Sequence, residues 1–171
     1  ADAALYERIS LYHAAKVITH HFNNKNTPVV ISNACISGIA ALIYAKRVME
    51  NGAYENAVIV GADTISKFVY SGFKSFHALS KGVCKPFSFD RDGINLGEAA
   101  ATIILTTTHL PANNIVLRAG AVGNDANHLS GPSKTGEELS MSINKSLHDA
   151  NVQADEIDFI SAHGTATPYN D

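Results

Sequence analysis

The stretch Val29-Val30-Ile31-Ser32-Asn33-Ala34-Cys35-Ile36-Ser37-Gly38-Ile39-Ala40-Ala41-Leu42-Ile43-Tyr44-Ala45-Lys46-Arg47-Val48-Met49 changes character at its centre. Val29-Val30-Ile31 is a short β-branched run, the composition of a buried strand. Cys35 follows at once, and Ile39 to Met49 reads as a helix buried on most sides, with Asn51-Gly52 as its C-cap. Ala57-Val58-Ile59-Val60-Gly61 is the next apolar run and reads as a second strand. Strand, helix and strand in this order predict a βαβ unit whose two strands lie parallel in a covered sheet.

Working outward, apolar positions at Leu5, Ile9, Tyr12, Ala15 and Val17-Ile18 recur with helical period, predicting a helix from Leu5 to Phe22. Asn23 to Pro28 ends it. Downstream, residues 63–98 are irregular, and Ala99 to Thr106 reads as a clear strand. His109 to Asn114 is a Pro- and Asn-bearing connector, which divides the chain into 1–108 and 109–171. Ile115 to Val122 reads as a strand and Gly136 to Ala150 as an amphipathic helix. Ile157-Asp158-Phe159-Ile160-Ser161 reads as the strand that delivers His163. No fixed-period repeat or low-complexity tract interrupts this order.

Bulk properties narrow the function class. The 171 residues carry a formal net charge of −3, with no basic run interleaved with aromatics of the kind that tracks nucleic acid. No apolar segment approaches the ~18 residues that span a bilayer, and Ala1 to Ser10 lack a signal pattern. The two cysteines, Cys35 and Cys84, are too few for a disulfide framework and form no CxxC pair, which fits a reducing, cytoplasmic setting.

Two segments carry candidate chemistry. Cys35 sits just before a helix N-terminus, where free N–H groups and the helix dipole favour a thiolate. Taken alone it reads more readily as a buried structural cysteine, since free cysteine is among the most buried residue types. His163 lies in Ser161-Ala162-His163-Gly164-Thr165-Ala166-Thr167-Pro168-Tyr169, directly after a strand and beside small hydroxyl residues. A lone histidine is more often structural. A cysteine and a distant histidine, each at a strand end, together suggest thiol nucleophilic catalysis. The other histidines, including His20-His21, have no ligand spacing that predicts a metal site. Cys84 has no activating context.

The two segments together resemble the β-ketoacyl-acyl-carrier-protein synthases, the condensing enzymes of the thiolase-like superfamily. Ala34-Cys35-Ile36-Ser37-Gly38 is similar to the family's nucleophile elbow, and His163-Gly-Thr-Ala-Thr-Pro with Asn170-Asp171 is similar to its histidine motif. Arg91-Asp92-Gly93 through Gly97-Glu98 matches a segment that packs near the active site and positions it. Asn124-Asp125-Ala126-Asn127-His128 also has a counterpart, in which His128 lies outside the catalytic set. The chain departs from the pattern at Phe87-Ser88, where members usually have Phe-Asp, so a local ion pair is expected to be missing.

The resemblance runs from about residue 28 to Asp171 and implies the layered α/β (αβαβα) thiolase-like fold, of which this chain would be the middle portion. It implies that Cys35 is the acylated nucleophile and that His163 stabilises an enolate oxygen. Thr165 and Thr167 would bind the phosphopantetheine arm of acyl-carrier protein. The implied reaction is decarboxylative condensation with malonyl-carrier protein in fatty-acid or polyketide synthesis, performed by a longer parent chain and not by this segment alone. No cofactor beyond the carrier's arm and no metal is implied. Expected partners are acyl-carrier protein and a second subunit, as a homodimer or with a ketosynthase-like chain. Ile36, Phe68, Tyr70 and Phe73 are candidate walls for the acyl chain. Apolar faces are expected to stand exposed in the isolated segment, which makes its independent folding doubtful.

Three rival readings stand beside this one. A biosynthetic thiolase would pair its cysteine with a different histidine motif. A catalytically silent partner of the chain-length-factor type would typically lack Cys35. An unrelated cysteine hydrolase would leave the His-Gly-Thr-Ala-Thr run unexplained.

Overall fold

The structure is a computed structural model that describes residues 7, 9–108, 115–126 and 133–171. The described elements are α1 (Leu11–His21), α2 (Ser37–Glu50), β1 (Asn56–Asp63), α3 (Lys67–Ser75), β2 (Ala99–Thr106), α4 (Glu137–Ala150) and a 3-10 turn at Ala154–Glu156. The chain divides into two compact units, Ala1–Ala41 and Leu42–Asp171, with the division falling inside α2.

The first unit holds α1 and the Cys35 turn. The helix predicted from Leu5 is described from Leu11, and its end at His21 precedes the Asn-rich breaker as expected. Val29-Val30-Ile31 joins no ladder, and Val29 is 61% exposed. A strand exists only through a neighbour that accepts and donates its backbone hydrogen bonds. The described residues supply none beside this run.

In the second unit α2 ends as its sequence predicts. Gly52 adopts φ +75°, its N–H bonds the Met49 carbonyl at 2.9 Å, and the Ala53 N–H bonds the Val48 carbonyl at 3.3 Å. That pair of bonds is the Schellman closure, and the left-handed turn is why glycine stands there. Ile43 and Met49 of α2 are, with Ala166, the buried apolar residues among those described. Gly120 lies so close to Ile43 that a β-carbon there would sit 2.7 Å from Ile43 Cγ1, so the backbone at Gly120 packs directly on the helix.

The sheet differs from the predicted βαβ arrangement. β1 pairs with β2, antiparallel and without a bulge, from Asn56 opposite Thr106 to Asp63 opposite Ala99. The pairing is possible because the intervening residues 64–98 turn back on themselves. The Ser66 side chain caps α3 by accepting the Val69 N–H at 3.2 Å, and Glu98 Oε1 accepts the Ile65 N–H at 2.7 Å. Leu79 bridges Ile94, and the Asp92 carboxylate accepts the Ser80 hydroxyl at 2.6 Å and the Lys81 N–H at 3.2 Å. Gly93 is obligatory here: its φ is +149°, and a β-carbon would lie 2.5 Å from the Ala78 carbonyl oxygen.

Two further runs predicted as strands, residues 115–122 and 157–161, also lie outside any ladder. Their side chains are open accordingly, with Ile115 at 102%, Phe159 at 82% and Ile160 at 83% exposure. α4 occupies the predicted span and ends at Asn151, which takes a left-handed conformation with φ +52°. The connector 109–114 and the stretch Asn127–His128 lie outside the described residues. Among the described residues no helix is long and apolar enough to cross a membrane.

Candidate active site

His163, Thr165 and Thr167 share one loop in the second unit, and that loop is tightly specified. Gly164 takes φ +59° and Ala166 takes φ +58°, so two left-handed residues stand within three positions. Ala166 is completely buried although it carries a left-handed backbone, a conformation that costs a non-glycine residue about 1–2 kcal/mol and needs surrounding contacts to hold it. A β-carbon on Gly164 would lie 3.2 Å from Pro86 Cβ and 3.3 Å from Phe87 Cε2. Pro86-Phe87 is therefore the floor on which the histidine loop rests.

The principal support is Asp171. Its Oδ1 accepts the Thr165 N–H at 2.9 Å, the Thr165 hydroxyl at 3.2 Å and the Asn170 amide at 3.3 Å. Its Oδ2 accepts the Ala166 N–H at 2.7 Å and the Phe87 N–H at 3.1 Å. Burial pushes this carboxyl up, but the Phe87 and Ala166 N–H groups, with the Asn170 and Thr165 side chains, outweigh it and hold the group below its ordinary value. The Thr165 and Thr167 hydroxyl oxygens lie 2.9 Å apart. The His163 ring stands exposed, without a hydrogen-bond partner among the described residues.

Arg91 closes the loop from the other side. Its Nε–H donates to the Thr167 carbonyl at 3.2 Å, Nη1 to the Ser88 carbonyl at 3.0 Å, and Nη2 to the carbonyls of Pro168 and Asp171. The segment read as positioning the site does contact it. Ser88, where an ion pair was expected to be missing, donates its hydroxyl to Asp90 at 2.6 Å, and Asp90 is itself paired with Lys85.

Cys35 lies in the first unit and is exposed. The residue before it, Ala34, adopts φ +48°, the strained turn of an elbow. Ser37 staples that turn: its Oγ accepts the Asn33 N–H at 2.7 Å and donates to the Ala34 carbonyl at 2.7 Å. The thiol is thereby presented two residues before α2 begins. Of the proposed acyl-chain walls, Ile36, Phe68 and Tyr70 are exposed and Phe73 is half-buried.

Sequence reasoning named four site residues but assigned no role to Asp171, Ser37, Pro86 or Phe87. The available signal for Asp171 was a short acid closing a Thr-Pro turn, where its carboxylate can reach back to N–H groups of the same turn. Nothing local in Pro86-Phe87 marks it as a floor, because that contact is between distant segments.

Known proteins resemble this chain in sequence and in fold. Residues 7–110 match the family model for the β-ketoacyl synthase N-terminal domain, and residues 115–171 match that for the C-terminal domain. The chain is 31% identical to 3-oxoacyl-acyl-carrier-protein synthase 2 of Vibrio cholerae over 84% of its own length and 37% of the relative's. It is 30% identical to the Mycobacterium leprae protein of the same name, over 92% of its own length and 40% of the relative's. Among solved structures, the ketosynthase ApeO in complex with its chain length factor ApeC from Xenorhabdus doucetiae superposes with a TM-score of 0.89 at 34% identity, covering 97% of this chain and 41% of that one. The ishigamide ketosynthase/chain length factor gives 0.86 at 31% identity, covering 99% and 43%. The chain thus spans less than half the length of each of these relatives.

Proposed function

Because this chain belongs to the β-ketoacyl synthase family, we propose that the protein containing it catalyses decarboxylative Claisen condensation on acyl-carrier protein. The observation that carries this reading is the His163 loop, in which an exposed imidazole is followed by a hydroxyl pair bonded to Asp171, with Arg91 holding the Thr167 carbonyl. The fold is that of the thiolase-like ketosynthases, and the catalytic assignments are those the family motif implies for Cys35, His163, Thr165 and Thr167.

The Cys35 sulfur attacks the carbonyl of an acyl thioester on acyl-carrier protein; its S–C bond forms and the carrier leaves as a free thiol. Malonyl-carrier protein then enters with its pantetheine arm against Thr165 and Thr167. Its carboxylate departs as carbon dioxide, and the electron pair of the broken C–C bond becomes an enolate. An N–H of His163 faces the developing enolate oxygen, where a preorganised donor is worth most. The enolate carbon attacks the Cys35 thioester, the new C–C bond forms, and the Cys35 sulfur leaves and regains a proton. The product is a 3-oxoacyl chain two carbons longer, and the carrier's arm is the sole prosthetic group required.

Residues 1–108 and 109–171 are read as the later part of the N-terminal half and the start of the C-terminal half, supported by family matches that end at 110 and resume at 115. A cytoplasmic setting is part of this proposal, in keeping with substrates carried on acyl-carrier protein. Acyl-carrier protein is one partner. The second is another ketosynthase-like chain, as in the ApeO and ishigamide assemblies, or a second copy of the same chain. Those assemblies also support the alternative reading, a silent chain-length-factor partner; Cys35 favours the catalytic one.

The test is to weigh the full-length protein after incubation with an acyl-carrier-protein thioester, beside Cys35→Ala and Cys84→Ala. An acyl mass shift lost in Cys35→Ala alone supports the condensing enzyme. No shift in a folded wild type moves the reading to the silent partner.

A further inference from the structure

We infer that Asp171 is a positioning residue that sets the direction of the Thr165–Thr167 hydroxyl pair, so that the pair receives an amide N–H of the carrier's pantetheine arm and not an amide carbonyl. This rests on the reading that Thr165 and Thr167 hold that arm, and adds which of its groups they recognise.

The argument is a count of protons. An ionised carboxylate can only accept hydrogen bonds. The 3.2 Å contact between Thr165 Oγ and Asp171 Oδ1 therefore has Thr165 as its donor, which uses the Thr165 hydroxyl proton. In the 2.9 Å contact between the two hydroxyls, Thr167 must then be the donor, which uses the Thr167 proton as well. The Thr165 oxygen has two lone pairs. One receives the Thr167 hydroxyl and the other faces the Thr167 N–H at 3.4 Å. Thr165 is saturated, whereas the Thr167 oxygen keeps lone pairs and has no proton to offer. A ligand group meeting this pair encounters an acceptor.

Asp171 cannot turn away to release the pair. Four further donors hold the carboxylate, namely the N–H groups of Thr165, Ala166 and Phe87 and the Asn170 amide. The Asp171 backbone carbonyl is in turn held by Arg91. Pantetheine offers two amides, each with one N–H and one carbonyl, so the direction of the pair decides which half of an amide it takes.

Asp171→Asn would break this direction. An asparagine has one accepting oxygen and one donating NH2, so it can donate to Thr165 Oγ and reverse the relay.

The experiment uses the full-length protein and three probes: phosphopantetheine and its two mono-ester analogues, in which the N–H of one amide or the other is replaced by oxygen. Dissociation constants are measured for wild type, Thr167→Val, Thr167→Ser and Asp171→Asn. In wild type, one ester is expected to bind about five- to tenfold more weakly than the amide, the effect of one hydrogen bond. That gap should vanish in Thr167→Val, return in Thr167→Ser and shrink in Asp171→Asn. Being a ratio within each variant, it is insensitive to a general loosening of the loop. Both esters binding wild type as tightly as the amide, or a gap that persists in Thr167→Val, overturns the inference. Acylation of Cys35 in the same wild-type protein separates this failure from failure of the broader reading, since the acyl mass shift does not depend on the ester gap.

Discussion

The Arg91 Nε–H donates to the Thr167 carbonyl oxygen at 3.2 Å, joining positions 76 residues apart in the chain. The same guanidinium reaches the carbonyls of Ser88, Pro168 and Asp171. One planar fork thus fixes the loop carrying Arg91 against the loop carrying His163, a task suited to five donors in rigid geometry. A lysine has three donors on a flexible stem and cannot span these acceptors. Arg91→Lys should therefore behave much like Arg91→Ala, each costing about 1.5–3 kcal/mol in chemical denaturation of the full-length protein. Arg91→Lys equal to wild type would show that charge alone suffices.

Glycine substitutions should separate into three grades. Gly93→Ala meets the Ala78 carbonyl oxygen at 2.5 Å in a conformation foreign to L-residues, and nothing flexible can move aside. It should be among the most damaging changes in the chain, at about 4 kcal/mol or more. Gly164→Ala adds about 1–2 kcal/mol of left-handed strain and presses on Pro86 and Phe87. Gly72→Ala, inside α3 with nothing within 4 Å, should be neutral or stabilising. Melting temperatures of the three variants, ranked in any other order, would contradict the packing described.

Acid should loosen the two carboxylate clamps in a defined direction. Hydrogen bonds from Lys85 and then from the Ser88 hydroxyl lower Asp90 from 3.8 to about 2. Its contribution is complete above the ordinary value and is lost as pH falls from 3.8 through about 2. Asp171, also held below its ordinary 3.8, follows the same sign. The stability difference between wild type and Asp90→Asn should thus be constant at neutral pH and close below 3.8. In NMR titrations the Ala166 amide, bonded to Asp171, should move with a midpoint below 3.8. A midpoint above that value would mean that burial outweighs the donors.

The proposed roles divide the reaction into separable steps. His163→Ala should lower malonyl decarboxylation by about 10²–10³-fold, the effect of removing one preorganised donor. It should leave transfer of the acyl group to Cys35 within a few-fold of wild type. Loss of both steps together would assign His163 to activating the thiol instead.

Ser37→Ala tests the elbow. Losing a hydroxyl that both accepts from Asn33 and donates to Ala34 should cost about 0.5–1.5 kcal/mol per bond and slow acylation of Cys35 by up to about tenfold. Ser37→Thr, which keeps the hydroxyl, should restore most of the rate. Equal acylation rates in Ser37→Ala and wild type would remove Ser37 from the turn's support.

Local sequence determined what depends on near neighbours. α2 with its Gly52 closure, α4, the Ala99–Thr106 strand, the breaker after α1 and the motifs around Cys35 and His163 were all legible, because helix period, capping and tight turns are written within a few residues. Only the tertiary structure decided which strands pair, since a ladder needs a second chain segment. Val29-Val30-Ile31 and Phe159-Ile160 have strand composition and no partner among the described residues, while Asn56–Asp63 pairs antiparallel with Ala99–Thr106, a partner the sequence did not name. The support of the candidate site was equally hidden. Asp171 and Arg91 owe their contacts to N–H and carbonyl groups brought to them by folding, and the direction Asp171 imposes on Thr165 and Thr167 depends on distances that no linear pattern encodes.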